Sequence, residues 1–406
     1  MWPLASRNFR LLVSCNVISV TGSAVANVAI PFAVLGIGGS ARDVGYVATA
    51  KFTPLILTLL LGGVIADRLP RHQVLFAANL FQAAASGAAA ALVLSHRARL
   101  WELIVLAAAA GVGVAVSYPA AQGLLPQTVA PDQRAAANAL DRTCRNTASI
   151  GGAALGGLLV ALGGAGLGLA IDAASFLVAG ALRFLMRFDA TPPAARSRML
   201  ADLREGWREF TSRRWLWTIV VQFGFVTTAG SALVSVLGPL VAHASLGGAA
   251  TWGLLVAGYG LGGVCGGVVM LRFRPGRILL VPLLFVPAFS ALFWALAVPL
   301  PAAPDIAVSF LAGGCLEVFE VCWATTLQQQ IPGDRLSRVS SYDALGNYAL
   351  TPVAIAVAGG LAGAFGTRAV LVVSGVLIAL ITVAVLLVPE VRNMRRQEPA
   401  SSRADR

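Results

Sequence analysis

The sequence predicts an all-α integral membrane protein, with twelve transmembrane helices in two six-helix, pseudo-symmetric bundles. Three observations lead there. Of 406 residues, 57% are hydrophobic and 12% charged, with a mean hydropathy of +0.79, whereas a soluble globular chain carries about 25% charged residues. The apolar residues gather into runs of roughly 20, the length a helix needs to cross a bilayer. The second half of the chain also echoes the first at an offset near 200.

The runs fall at roughly 10–35, 44–66, 73–94, 101–126, 136–161, 166–186, 215–241, 251–271, 278–298, 306–329, 339–362 and 368–388. The longest polar interruption divides six from six. It sets an N-terminal bundle at 1–186, a cytoplasmic linker at 187–214, a C-terminal bundle at 215–388 and a cytoplasmic tail at 389–406. Within the linker, Leu200, Leu203, Trp207 and Phe210 share one helical face, which suits a short amphipathic helix on the membrane surface or a solvated linker helix.

Orientation comes from the basic residues, 29 of them Arg and one Lys. With the N-terminus inside, 25 arginines fall in inner segments and four in outer ones, Arg42, Arg97, Arg99 and Arg368. Cytoplasmic loops carry such an excess, so both termini are expected in the cytoplasm of a cell (inner or plasma) membrane. The net charge of +12 therefore reflects topology, not nucleic-acid binding, because the arginines form short patches between apolar runs, not one basic face. The partner implied is the lipid bilayer. The first run is too long for a cleavable signal and has no cleavage site after it. Five cysteines without a CxxC pair and three scattered histidines give no disulfide framework, no metal site and no cofactor. They also supply no catalytic cluster for a membrane-embedded enzyme. No phosphate-cradling loop points to ATP hydrolysis, and the 17 residues after Pro389 offer no signalling domain.

Three segments repeat in order. SRNFRLLVS (6–14) matches SRRWLWTIV (212–220), GGVIADRLPR (62–71) matches GGVVMLRFRP (266–275), and VAPDQRAAANALDR (129–142) matches QIPGDRLSRVSSYD (330–343). Two parallel six-helix repeats with a binding site between them near the midplane are a transporter plan.

The turn after the second run, Gly63-Val-Ile-Ala-Asp67-Arg68-Leu-Pro70-Arg71-His72, resembles the G-x-x-x-D-R-x-G-R-[RK] motif of the major facilitator superfamily, with Pro70 at the family's second glycine. FRLLVSCNVISVTGSAVANVAIPFAVL (9–35), LPQTVAPDQRAAANAL (125–140) and IDAASFLVAGALRF (171–184) are similar to its exporter branch of siderophore, macrolide and multidrug efflux pumps. The resemblance covers the whole chain. It departs from the drug–proton antiporters in two places. The fourth run has no arginine within an R-x-x-Q-G pattern, and the fifth has Gly152, Gly156 and Gly157 without the family's proline. The resemblance implies secondary-active, proton-coupled efflux of a small amphipathic molecule by alternating access, by a monomer. An importer or uniporter is the alternative. It further implies that Gly63, Asp67, Arg68 and Arg71 help latch the halves. A carboxylate at a helix C-terminus opposes the helix dipole, so Asp67 needs a partner from a neighbouring helix, here the start of the eleventh run.

Ionisable groups inside spans are costly and usually functional. Glu317 and Glu320 stand at i and i+3 on the tenth run, on one face, which suits a proton-carrying or cation site. Lys51 lies within the second run and is expected to meet an acidic substrate or a carboxylate. Asn27 and Gln222 lie on spans that line the cavity in the family, so the resemblance makes them substrate contacts. Asp141, Arg142 and Arg145, with Arg335, Arg338 and Asp343 at the matching place in the second half, are expected to gate through salt bridges between halves. Asp172 is expected to be structural.

Overall fold

The structure is a computed structural model and describes residues 3–61, 71–130, 133–186, 207, 208, 210–273, 275–298, 301–331, 339, 342, 343, 345–347 and 349–395. Every regular element among the described residues is helical. Ten of the helices are long and apolar enough to cross a membrane.

The first five helices are α1 (Arg7–Gly36), α2 (Ala41–Leu61), α3 (Arg71–Leu94), α4 (Leu100–Leu124) and α5 (Arg134–Phe184). Ser6 caps α1 by accepting a hydrogen bond from the Phe9 amide, and its hydroxyl donates to the Thr128 carbonyl at 2.6 Å. Pro31 lies within α1 and Pro54 within α2, positions a membrane helix tolerates because neighbours re-satisfy the freed backbone groups.

The 51-residue α5 is two passes, not one. Asn16 on α1 touches both Asp141 and Arg183, residues that a straight helix would hold about 60 Å apart at 1.5 Å per residue. The chain reverses at Gly164, whose φ of 77° and ψ of 170° lie where side-chain-bearing residues rarely go. The two arms are the fifth and sixth runs of the sequence. With α2 as the second run, the described helices account for all twelve.

Two compact units are formed. The first holds residues 1–196, 231–257 and 352–367, and the second 197–230, 258–351 and 368–406. Segments of three second-half spans pack with the first half in this grouping. Small residues allow this. A Cβ on Gly45 would lie 3.2 Å from the Gly359 Cα, and one on Gly253 would lie 2.8 Å from the Gly157 Cα, so these backbones touch directly. The Thr49 hydroxyl donates to the Pro352 carbonyl at 3.3 Å, and Phe32 meets His243 edge-on. Within the same unit α1 lies against both arms of α5 and α3 against α4 and α5. Gly152 and Gly156 seat against α1, where added Cβ atoms would come within 2.7 Å of the Thr21 carbonyl and 2.8 Å of the Val25 Cα. That is the packing the proline-free Gly152–Gly157 stretch provides.

The remaining helices are α6 (Arg214–Ala232), α7 (Gly238–Ser245), α8 (Ala249–Arg272), α9 (Leu280–Leu283), α10 (Pro287–Ala297), α11 (Ala302–Gln330), α12 (Thr351–Phe365), α13 (Thr367–Leu386) and α14 (Pro389–Asn393). A π-helical turn, Leu233–Leu237, joins α6 to α7. It comes just before Pro239, which donates no backbone hydrogen bond, so the ladder changes register there. In the second unit an aromatic stack runs through α6 and α11. Phe223 and Phe319 lie 4.1 Å apart between ring centroids and nearly parallel, and Trp323 continues the stack.

Candidate functional site

A polar stripe on α1 organises the first unit. Asn16, Ser19, Ser23 and Asn27 recur at intervals of three and four residues, which places them on one helical face. They look onto Asn79 and Gln82 of α3, Ser117 of α4, and Arg145, Ser149 and Arg183 of α5. Between them is a cavity of about 280 Å³. Apolar neighbours such as Val20, Leu75, Val114 and Phe176 complete its wall.

At one end Asn16 is a bridge. Its amide nitrogen donates to Asp141 at 2.8 Å, while its carbonyl oxygen accepts from the Arg183 guanidinium at 3.3 Å. Asp141 is 6% exposed and also pairs with Arg145 at 3.8 Å, one turn along the same helix. Arg183 is 5% exposed. Its second contact is the Asn79 carbonyl oxygen at 3.5 Å, and Cys15 lies beside it.

Eleven residues further along α1, about 16 Å at helical rise, is a second centre. Lys51 of α2 donates to the Asn27 carbonyl oxygen at 2.7 Å. Asp172 of α5, 4% exposed, accepts from the Ser86 hydroxyl at 2.7 Å, with Ser23 nearby. Its other carboxylate oxygen is buried with no hydrogen-bond partner. Lys51 and Asp172 are close enough to attract one another.

Of the residues expected from sequence, Lys51 and Asn27 come together as a direct pair. Glu317 and Glu320 lie on α11 near Tyr259 of α8, and the Glu317 side chain rests over Gly263 and Gly267, where the missing side chains leave room for it. Gln222 is fully buried, and its amide donates to the Thr382 hydroxyl at 2.9 Å, tying α6 to α13. Asp141 pairs with Arg145 and with Asn16 of α1, and Arg142 is exposed. Asp343 accepts from the Trp323 indole at 3.3 Å and from Asn347 at 3.1 Å, both in its own unit. Gly63, Asp67, Arg68, Arg335 and Arg338 lie outside the described residues, and Arg71 is described only as the first residue of α3.

The sequence reading counted Arg183 only toward topology and passed over Asn16, Asn79 and Gln82. The signal was there. Amides three residues apart on α3, facing a polar stripe of helical period on α1, are unusual inside apolar runs.

Helical spans enclosing a polar, charge-bearing cavity define a membrane transporter. The family profile described as transmembrane secretion effector matches residues 1–404, and the chain belongs to that family of major facilitator transporters. It is 27% identical over 399 residues to an enterobactin exporter, EntS, of Salmonella typhi, covering 97% of this chain and 95% of that one. It is 26% identical over 393 residues to the multidrug efflux pump Tap of Mycolicibacterium fortuitum, covering 92% and 93%. Among solved structures, the nucleoside transporter NupG shares the fold with a TM-score of 0.75 at 11% identity, over 94% of this chain and 98% of that one.

Proposed function

We propose that this chain exports a small amphipathic molecule, such as a drug, secondary metabolite or siderophore, by alternating access coupled to protons. It acts as a monomer in the cell membrane, with both termini in the cytoplasm and two six-helix bundles at 1–186 and 215–388. The observation that carries the reading is the cavity of about 280 Å³. Amides, hydroxyls and cations line it inside a bundle that is otherwise apolar, which suits a cargo with polar and greasy parts. The similarity to an enterobactin exporter and a multidrug efflux pump supports the outward direction.

In the orientation given by the arginines, the Gly45–Gly359 and Gly157–Gly253 contacts fall toward the outer ends of their helices, and this arrangement is closed on that side. Glu317 and Glu320 carry the coupling proton. Asp67, Arg68 and Arg71 form the latch of the opposite state.

The test is resistance. Expressed in a host stripped of its own pumps, the chain should protect against some members of a broad panel of antibiotics and metabolites. Glu317→Gln should remove that protection at equal membrane level. Absence of protection across the panel would sink export of drugs, and protection retained in Glu317→Gln would take that carboxylate out of the coupling.

A further inference from the structure

We propose that the Arg183 end of the cavity binds the anionic group, a carboxylate or sulfonate, of the exported molecule, an inference that rests on the export reading and narrows its cargo to organic acids. The argument is one of unmatched donors. Arg183 is buried, and a buried guanidinium normally meets a carboxylate in a short, forked pair with N···O of about 2.7–2.9 Å. Here it meets two neutral amide oxygens at 3.3 and 3.5 Å and the neighbouring Cys15 sulfur, none of them a carboxylate. Its Nε is buried with no partner, and so is the amide nitrogen of Asn79 beside it.

The charge does not balance either. Asp141 is the carboxylate of this end, and its oxygens are committed to Asn16 and to Arg145. Arg145 and Arg183 both line the cavity. Among the described residues, no carboxylate lies within 4 Å of Arg183, so one positive charge is left over. A charge held away from water without a counter-charge is costly. A ligand acid would supply the counter-charge and two acceptor oxygens. It would exchange the long contacts to Asn16 and Asn79 for short ones to itself. Phe176 and Leu75 on the same wall are placed to cover its apolar part.

The probe is 2-naphthoate, with 2-naphthamide as its neutral isostere, titrated against the purified full-length protein by calorimetry and thermal shift. Naphthoate should bind and raise the unfolding temperature, and naphthamide should bind about tenfold more weakly or less. Arg183→Gln should erase that preference, and Arg183→Lys should keep part of it. Asn79→Asp would give the guanidinium a built-in carboxylate and should abolish naphthoate binding in a folded protein. This variant decides the question if Arg183→Gln does not fold.

Absence of naphthoate binding would overturn the proposal. So would equal binding of acid and amide by the unaltered protein, or naphthoate binding that survives both Arg183→Gln and Asn79→Asp. If phosphatidylglycerol in nanodiscs protects the protein through Arg183 and naphthoate does not, a lipid headgroup is the occupant and the proposal also fails. Binding is read without any gradient, so a negative resistance panel leaves this result standing, and the reverse holds too.

Discussion

Lys51 donates a 2.7 Å hydrogen bond to the carbonyl oxygen of Asn27, and this fixes where the ammonium sits relative to Asp172. Because the partly exposed Lys51 and the buried Asp172 attract one another, each should be worse alone than with the other. Lys51→Met and Asp172→Asn should each lower the unfolding temperature. The double variant should recover part of the loss, with a coupling of about 1 kcal/mol. Strictly additive losses in detergent-solubilised protein would show that the two residues act independently.

Gln222 and Thr382 should behave as a packing pair. Gln222→Ala removes the donor to the Thr382 oxygen, whose hydroxyl keeps its own bond to the Ile378 carbonyl, and leaves a cavity in a fully buried place, at a cost of about 1–3 kcal/mol. Replacing both, with Gln222→Leu and Thr382→Val, should be milder than Gln222→Ala. The spectrum of exported compounds should not change in either variant. A shifted spectrum would restore Gln222 to the cargo path.

Gly156 and Gly151 make a matched comparison. A side chain on Gly156 meets the Val25 backbone, whereas one on Gly151 meets nothing within 4 Å. Gly156→Val should destabilise the fold by about 1–3 kcal/mol, and Gly151→Ala should be neutral or slightly stabilising. Chemical denaturation in a fixed detergent measures both. Equal effects would mean that α1 and α5 separate without penalty.

The Gly45–Gly359 approach predicts a change in access. With Gly359→Leu, the backbones can no longer touch, and the proposed closure on the outer side should lose stability. In a cysteine-free background carrying Asn27→Cys, a membrane-impermeant thiol reagent added outside should label faster when Gly359→Leu is present. Unchanged labelling would place the closure elsewhere.

The membrane class was legible because a bilayer imposes one length on every span, and a run of about 20 apolar residues can be counted. The reversal at Gly164 was legible as a break between the fifth and sixth runs. The network around the cavity was not. Ser86 and Asp172 are 86 residues apart, and Asn16 and Arg183 are 167 apart. A linear reading therefore saw an isolated acid and a topology-setting arginine. Gln222 shows the same limit: its hydrogen-bond partner, Thr382, stands 160 residues away.

The reversal at Gly164 also bears on how the chain is made. From Gly157 to Ile171 there is no charged or hydrogen-bonding side chain, so nothing hydrophilic beyond the backbone has to be carried across at the tip of this 49-residue segment. Both arms can leave the insertion machinery together as a single greasy hairpin. Once inserted, they offer proteases and antibodies no protruding peptide on that surface to seize.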